Sequence, residues 1–313
     1  MNKVTVIGSG NVGATIAYTL TVMGLASEIV MIDVNEEKSL GEALDIRQGI
    51  PFCNPANVYA GTYADAENSD IVVITSGIAR KPGQSRLDLA QTNVNIIKSI
   101  ADKIVPVAPE ATYLIVSNPV DILTYVFLKH TGLPQERVVG SGTILDTARL
   151  RARVAEYYSV NQKNVHAYVL GEHGDSSFVP WSIANISNVP IEDYGNALLS
   201  KGDYPELKRE EVENYVRKSG GRVIQRKGAT FYAVSVSVCH VIKCLLSGID
   251  TTLTVSTMLN GEYGIDDVCL SLLTIVGNKG AHNKIMLPLN DVEIAALHNS
   301  AAVLKNLIKD LDI

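Results

Sequence analysis

Short uninterrupted apolar runs alternate with amphipathic stretches through the first half of the chain. Val4–Ile7, Ile29–Ile32, Ile71–Thr75 and Tyr113–Val116 lack polar alternation, the pattern of strands buried on both faces, and Val138–Gly140 is a shorter candidate. Between them, Ala14–Met23 and Leu87–Val105 carry apolar residues at helical spacing, and Ile122–Lys129 is a further helix candidate. Strands alternating with helices predict an α/β fold built on a doubly wound parallel sheet. Ligands of such sheets sit beyond the carboxyl ends of the strands, where Thr75-Ser76-Gly77 and Ser117-Asn118-Pro119 fall. Asn118 is equally the ordinary turn residue before a proline.

The second half loses this rhythm. Thr143–Tyr158 reads as a helix and Val165–Leu170 as a buried strand. Glu206–Arg217 is a charged, solvated helix. Arg222–Leu246 is a long, mostly apolar helical segment with a break at Gly228. Thr251–Met258 and Val268–Val276 predict antiparallel strands, and Asn290-Asp291-Val292-Glu293 is a capping box opening the C-terminal helix. This half reads as a second, mixed α+β domain. The expected division is residues 1–141 and 142–313, with a cleft between them.

Composition narrows the function classes. A chain of 313 residues, 46% apolar and 19% charged with a net charge of −6, argues against nucleic-acid or anionic-membrane partners. Cys53, Cys239, Cys244 and Cys269 form no C-x-x-C and no His/Cys cluster at metal spacing, so buried reduced thiols and no metal are expected. No leader-like segment follows Met1, and no apolar run reaches the roughly 18–20 residues that span a bilayer. A cytoplasmic protein is expected.

The most informative local motif is Gly8-Ser9-Gly10-Asn11-Val12-Gly13, set between a strand and a helix, with Asp33 ending the next strand 20 residues after Gly13. The first glycine makes the tight turn, the second lets a pyrophosphate approach the backbone, and the third lets helix pack on strand. The helix N-terminus offers free N–H groups to the phosphates. Asp33 would bond an adenosine ribose and repel a 2′-phosphate, which selects NAD over NADP in a Rossmann domain. The competing reading is a glycine turn that merely packs a helix closely.

Three further features are candidates. The polar, Gly/Pro-containing loop from Gly77 to Leu89 carries Arg80, Lys81 and Arg86. It is either a solvated basic loop or a lid that brings cations over an anionic substrate and expels water. Asp146 and Arg149 share a helix face, as a surface ion pair or as a carboxylate anchor beside a residue that orients a histidine. His173 stands in Val169–Ser176, V-L-G-E-H-G-D-S, at the end of the apolar run. Flanking glycines let it point into a cleft, and its pKa suits proton transfer, although a lone histidine is more often a surface or satisfied residue.

The segments G-S-G-N-V-G, S-N-P-V-D, G-S-G-T-I-L-D-T-A-R and G-E-H-G-D, in that order, make the sequence resemble the L-lactate/L-malate dehydrogenase family along almost its whole length. The resemblance implies a reversible, NAD-dependent hydride transfer on a small L-2-hydroxy acid. It implies that His173 is the general acid/base, Asp146 its partner and Arg149 the substrate-carboxylate anchor. Arg86 on the lid would polarise the carbonyl and Asn118 would bond the substrate oxygen. Cofactor contacts are implied at Gly8, Gly10, Asn11, Val12, Gly13, Asp33, Lys38, Tyr63, Gly77, Val116, Asn118 and Ser141.

Substrate markers disagree. Arg80, six residues before Arg86, matches malate enzymes, where lactate enzymes usually carry glutamine. The G-E-H-G segment and the pocket residue Thr230 match lactate enzymes. Lactate/pyruvate is the preferred reading, malate/oxaloacetate the alternative, and a branched 2-hydroxy acid a third. The resemblance also places Arg151 and His166 where many bacterial lactate dehydrogenases bind fructose 1,6-bisphosphate between subunits; the plainer reading is ordinary helix and strand residues. The family forms dimers or tetramers, to which Arg222–Leu246 could contribute an interface. Because the sequence opens almost at its first strand, an assembly without an N-terminal arm wrapped around a neighbour is expected. An NAD-dependent glycosidase would normally need a Cys/His metal site, and a non-catalytic nucleotide binder would not need His173, Arg149 and Asp146 together.

Overall fold

The computed structural model describes residues 2–78, 86–198 and 207–313. In the first half β1 (Lys3–Ile7), α1 (Asn11–Met23), β2 (Glu28–Ile32), α2 (Glu36–Gln48), β3 (Asn57–Ala60), β4 (Ile71–Ile74), α3 (Arg86–Ile104), β5 (Thr112–Ile115), α4 (Val120–Thr131) and β6 (Val138–Gly140) follow in order. The strands pair in parallel as β6-β5-β4-β1-β2-β3. Successive residues of each strand serve opposite layers. Val4, Val6, Ile29, Met31, Ile71 and Val73 pack with Ile16 and Leu20 of α1. Ile7, Val30, Ile32, Val72 and Ile74 pack with Val94 and Ile97 of α3 and Phe127 of α4. Both faces are covered, so the strands read as unbroken apolar runs. Two elements, α2 and β3, left no such signal: α2 buries only Ser39, Ala43 and Ile46, and within β3 only Val58 is buried.

The second half contains α5 (Ile144–Tyr158), β7 (Val165–His166), β8 (Asn185–Ile186), β9 (Val189–Pro190), α6 (Ile191–Ala197), α7 (Arg209–Lys227), α8 (Tyr232–Leu245), β10 (Thr251–Asn260), β11 (Asp266–Gly277), β12 (Gly280–Lys284) and α9 (Asp291–Lys309). The antiparallel pairing of β10 with β11 is present. These strands do not build a sheet of their own. Ser256 of β10 pairs with Gly140 of β6, so β12-β11-β10 extend the parallel sheet to nine strands among the described residues. A Cβ at Gly140 would stand 2.9 Å from the Ser256 Cβ, so the junction leaves no room for a side chain there.

Three expectations are corrected. The run Val165–Leu170 is a strand only at Val165 and His166; Leu170 and Gly171 make isolated bridges to Phe178 and Ser271. Val169 instead bonds through its N–H to Thr147 Oγ1 at 2.9 Å and through its carbonyl to the Thr143 hydroxyl, so burial against α5 produces the apolar run without a ladder. The charged helix extends over Arg209–Lys227 and absorbs the front of the apolar segment; Gly228, at φ +83°, ends it. Glu206 lies outside the described residues. Cys239, Cys244 and Cys269 are buried, but Cys53 is only half-buried. The capping box at Asn290 and Glu293 is formed, and Glu293 also accepts from the Ser182 backbone N–H at 3.0 Å, joining α9 to the segment before β8. No helix of the described residues is long and apolar enough to cross a membrane.

A Cβ at Gly13 would overlap the Gly8 carbonyl oxygen and lie 2.8 Å from Thr75 Oγ1. Gly13→Ala is therefore expected to cost about 1–3 kcal/mol of stability through overpacking, seen as a lower Tm in calorimetry.

Candidate active site

The glycine turn leaves β1 at Gly8, whose φ of +104° favours glycine, and enters α1 through Gly10. No side chain caps α1, so its first N–H groups are left for another acceptor. A Cβ on Gly10 would meet nothing within 4 Å. This open space before an uncapped helix N-terminus fits a diphosphate. Asp33, just past β2, accepts the Ser9 N–H at 2.6 Å and the Asn35 N–H at 2.9 Å. Each carboxylate oxygen keeps a second lone pair for a ribose hydroxyl. Tyr63 is half-buried, and burial together with the nearby Asp33 charge pushes its phenol pKa up. Lys38 is exposed in the first turn of α2.

Beyond the carboxyl ends of β4 and β5 opens a cavity of about 490 Å³. Val12, Gly77, Val116, Asn118 and Ser141 line it from the first half; Asp146, Arg149, His173 and Thr230 line it from the second. Residues far apart in sequence thus share one space. Arg80 and Lys81 lie outside the described residues, and Arg86 is described only as the first residue of α3.

Four elements hold the His173 segment. Gly171 exchanges two backbone hydrogen bonds of 2.9 Å with Ser271 of β11. The Glu172 N–H donates to Ser300 Oγ of α9 at 2.7 Å, and the His173 N–H to Asp121 Oδ2 of α4 at 2.7 Å. The ring is held by α5: His173 Nδ1 stands 2.6 Å from Asp146 Oδ2. The other carboxylate oxygen, Asp146 Oδ1, accepts from Arg149 Nη1 at 2.9 Å. His173 Nε2 is then the ring nitrogen left for the cavity.

The electrostatics follow from this sharing. Burial alone would raise the Asp146 pKa, but His173 and Arg149, by charge and hydrogen bond, outweigh it and hold it below the usual carboxylate range. Burial alone would lower the His173 pKa. The Asp146 charge and hydrogen bond, aided by the Asp121 charge, overcome that and the opposing Arg149, so the imidazole is held above its ordinary value.

Two residues of this region have no counterpart in the sequence-based expectations. Asn93 of α3 is 2% exposed; its Oδ1 accepts the Ile78 N–H at 2.9 Å and its Nδ2 donates to the Asn118 carbonyl at 2.8 Å. It joins the start of the basic loop to Asn118. Its only sequence signal is one amide on an otherwise apolar helix face. Asp121 closes the S-N-P-V-D segment, but taken by itself it reads only as an acid in the first turn of a helix.

Glu172 does not line the cavity. Its carboxylate accepts the Ser176 N–H at 3.3 Å and the Ser176 hydroxyl, bracing the histidine loop. Arg151 donates from Nε to the Ala167 carbonyl at 3.0 Å and lies over the Tyr168 ring. It thus sits beside the chain neighbour of the exposed His166 in β7.

Both halves match models of one family. Residues 2–140 match the lactate/malate dehydrogenase NAD binding domain and residues 143–312 the lactate/malate dehydrogenase alpha/beta C-terminal domain. The chain belongs to the lactate/malate dehydrogenase family. It is 48% identical over 313 residues to the L-lactate dehydrogenase of Thermoanaerobacter pseudethanolicus, covering 100% of both chains. It is 46% identical over 308 residues to that of Clostridium botulinum, covering 98% of this chain and 96% of the relative. Among solved structures, the minor L-lactate dehydrogenase of Enterococcus mundtii superposes with a TM-score of 0.94 at 37% identity, covering 100% of this chain and 99% of that one. The L-lactate dehydrogenase of Clostridium thermocellum gives 0.89 at 37% identity over 100% of each chain. The first half of this lactate/malate dehydrogenase is thus its NAD-binding part, in keeping with the open glycine turn and Asp33.

Asp146→Asn removes the anion but keeps an acceptor for the ring. The titration of His173, followed by NMR of its ring protons, is expected to move to lower pH; an unmoved titration would mean that Asp146 does not set the proton affinity.

Proposed function

We propose that this protein is an NAD-dependent L-lactate dehydrogenase, interconverting pyruvate and L-lactate. The observation that carries the reading is the buried Asp146 carboxylate, with one oxygen on His173 and the other on Arg149, in a cavity bordered by the NAD-binding half. Full-length relatives at 44–48% identity that are L-lactate dehydrogenases support lactate over malate.

Bound NADH supplies the hydride to C2 of pyruvate. Arg149 holds the substrate carboxylate through its fork while remaining tied to Asp146. Protonated His173 gives its Nε2 proton to the C2 oxygen, and in reverse the neutral ring takes the hydroxyl proton of lactate. Asp146 keeps Nδ1 protonated and stabilises the imidazolium. The raised His173 pKa sets the direction of the pH dependence. Pyruvate reduction is supported below that pKa and falls as pH rises through it, and lactate oxidation does the reverse. Asn118 bonds the substrate oxygen, Arg86 polarises the carbonyl, and Thr230 borders the methyl group.

Gly8, Gly10, Asn11, Val12 and Gly13 take the diphosphate, Asp33, Lys38 and Tyr63 the adenosine end, and Gly77, Val116, Asn118 and Ser141 the nicotinamide end. The cofactor domain is residues 1–141 and the substrate domain 142–313. A cytoplasmic homotetramer or dimer is the proposed assembly, with Arg151 and His166 proposed to take fructose 1,6-bisphosphate between subunits.

A malate reading keeps one supporting residue, Arg80, which would pair the second carboxylate of oxaloacetate. The test is kcat/KM with NADH for pyruvate and oxaloacetate, in the natural protein and in Arg80→Gln. Pyruvate is expected to be preferred. Loss of a desolvated charge pair, about 2–5 kcal/mol, is expected to cut oxaloacetate turnover in the variant by at least about tenfold while sparing pyruvate. An oxaloacetate preference reversed by the substitution would restore the malate reading, and no turnover of either would remove both.

A further inference from the structure

We propose that Gly220 and Gly221 of α7 widen the substrate cavity beside Arg149, so that this protein also reduces 2-oxo acids whose apolar side chain is longer than the methyl of pyruvate. This rests on the reading of the cavity as a 2-oxo acid site.

Two adjacent glycines stand inside the continuous helix Arg209–Lys227. Glycine is the poorest helix former after proline, so each weakens α7 relative to alanine. Backbone geometry does not call for them, since neither has a positive φ. Close packing does not call for them either. A Cβ on Gly221 would meet nothing within 4 Å, and one on Gly220 only Arg149 Nη2, at 4.0 Å. Alanine fits both places, and the fold alone would favour it. What glycine leaves there is space.

That space belongs to the cavity. Val212 and Val216 of α7 are buried with Leu150 and Val154 of α5, which fixes the rotation of the helix. The adjoining face carries Arg217, Gly220, Gly221 and Ile224 at spacing i, i+3, i+4, i+7, and all four line the cavity. The wall is bare for one turn between a guanidinium and an isoleucine. Arg149 Nη1 is engaged by Asp146, and Nη2 is the atom that stands next to Gly220. A substrate whose carboxylate rests on Nη2 lies against the bare turn.

The chemistry of that wall selects the substituent. Arg217 is already committed: its Nη1 donates to the Ser177 carbonyl at 2.8 Å and its Nη2 to Glu213 at 3.1 Å. Ile224 offers a half-exposed apolar side chain one turn further on. The bare turn therefore suits an alkyl chain and not a second carboxylate, which separates this inference from the oxaloacetate question at Arg80. Each methylene covered by Ile224 leaves water and favours binding. The reaction is that of pyruvate: C2 takes the hydride of NADH, the C2 oxygen takes the Nε2 proton of His173, and NAD⁺ and the 2-hydroxy acid are released.

The test compares kcat/KM with NADH for pyruvate, 2-oxobutanoate and 4-methyl-2-oxopentanoate in the natural protein, Gly220→Ala, Gly221→Ala and Gly221→Leu. A pocket shaped for a methyl group would reject three further carbons by well over about a hundredfold, since a single methylene is worth about 10–200-fold; here the discrimination is expected to stay under about a hundredfold. Filling the bare turn is expected to lower the ratio of 4-methyl-2-oxopentanoate to pyruvate by about tenfold or more, with leucine acting more strongly than alanine. The Tm of each variant is read alongside. Alanine at either position is expected to raise it, so a lower ratio in an alanine variant reports a filled cavity and not a damaged helix, and the alanine variants decide the matter if Gly221→Leu does not fold. Stronger discrimination in the natural protein, or a ratio that stays constant across the folded variants, would overturn the inference while pyruvate turnover upholds the lactate reading. Turnover of the longer acids alone, lowered in the variants, would support the wide cavity and reject the pyruvate assignment. Turnover of none of the three would overturn both.

Discussion

One buried carboxylate organises the candidate site. Asp146 must be ionised to hold both His173 and Arg149, yet a lone anion with so little exposure would be unstable. Its two cationic partners make that burial tolerable, and it in turn sets where they stand. The pairing demands that α5 and the 169–174 segment keep a fixed distance. Thr143 and Thr147 supply this by bonding the carbonyl and N–H of Val169. Side-chain hydroxyls of α5 thus take the place of a strand partner at Val169.

The sheet carries the constraint across the whole molecule. Because β10 joins β6 through Ser256 and Gly140, the hairpin that bridges to Gly171 is continuous with the strands that present the glycine turn and Asn118. The histidine loop is then fastened to α4, α5, α9 and β11 at once. The nucleotide side asks for the opposite property. Its turn is built from glycines so that backbone N–H groups stay exposed, with Gly13 allowing α1 to rest on the Gly8 carbonyl. A firmly held histidine and an open glycine turn are thus carried by one sheet, with the cavity between them.

Much of the candidate site was legible before the fold, because its residues sit in short motifs whose chemistry is local. A glycine turn between strand and helix means the same thing in any such context, and Asp146 and Arg149 share a face by helical spacing alone. Asp121 and Asn93 were not legible, because each acts on a backbone group brought near only by folding. Glu172 shows the converse. It marks the lactate-like segment in sequence, yet its carboxylate folds back on Ser176 instead of facing the cavity.

By itself the sequence determined the strand and helix alternation and the cofactor class, and through its resemblance to a family it named His173, Asp146 and Arg149 as candidates, since these rest on periodicity and on short motifs. Tertiary structure alone decided that the second half continues the first half's sheet, that the middle of the apolar run before His173 is held by side-chain hydroxyls of α5, and that a buried acid on α4 holds the histidine's backbone. These are contacts between segments more than twenty residues apart, such as Val169 with Thr147, Asp121 with His173 and Gly140 with Ser256. No local pattern encodes them, because neither a backbone N–H nor a lone glycine says which distant segment it will meet.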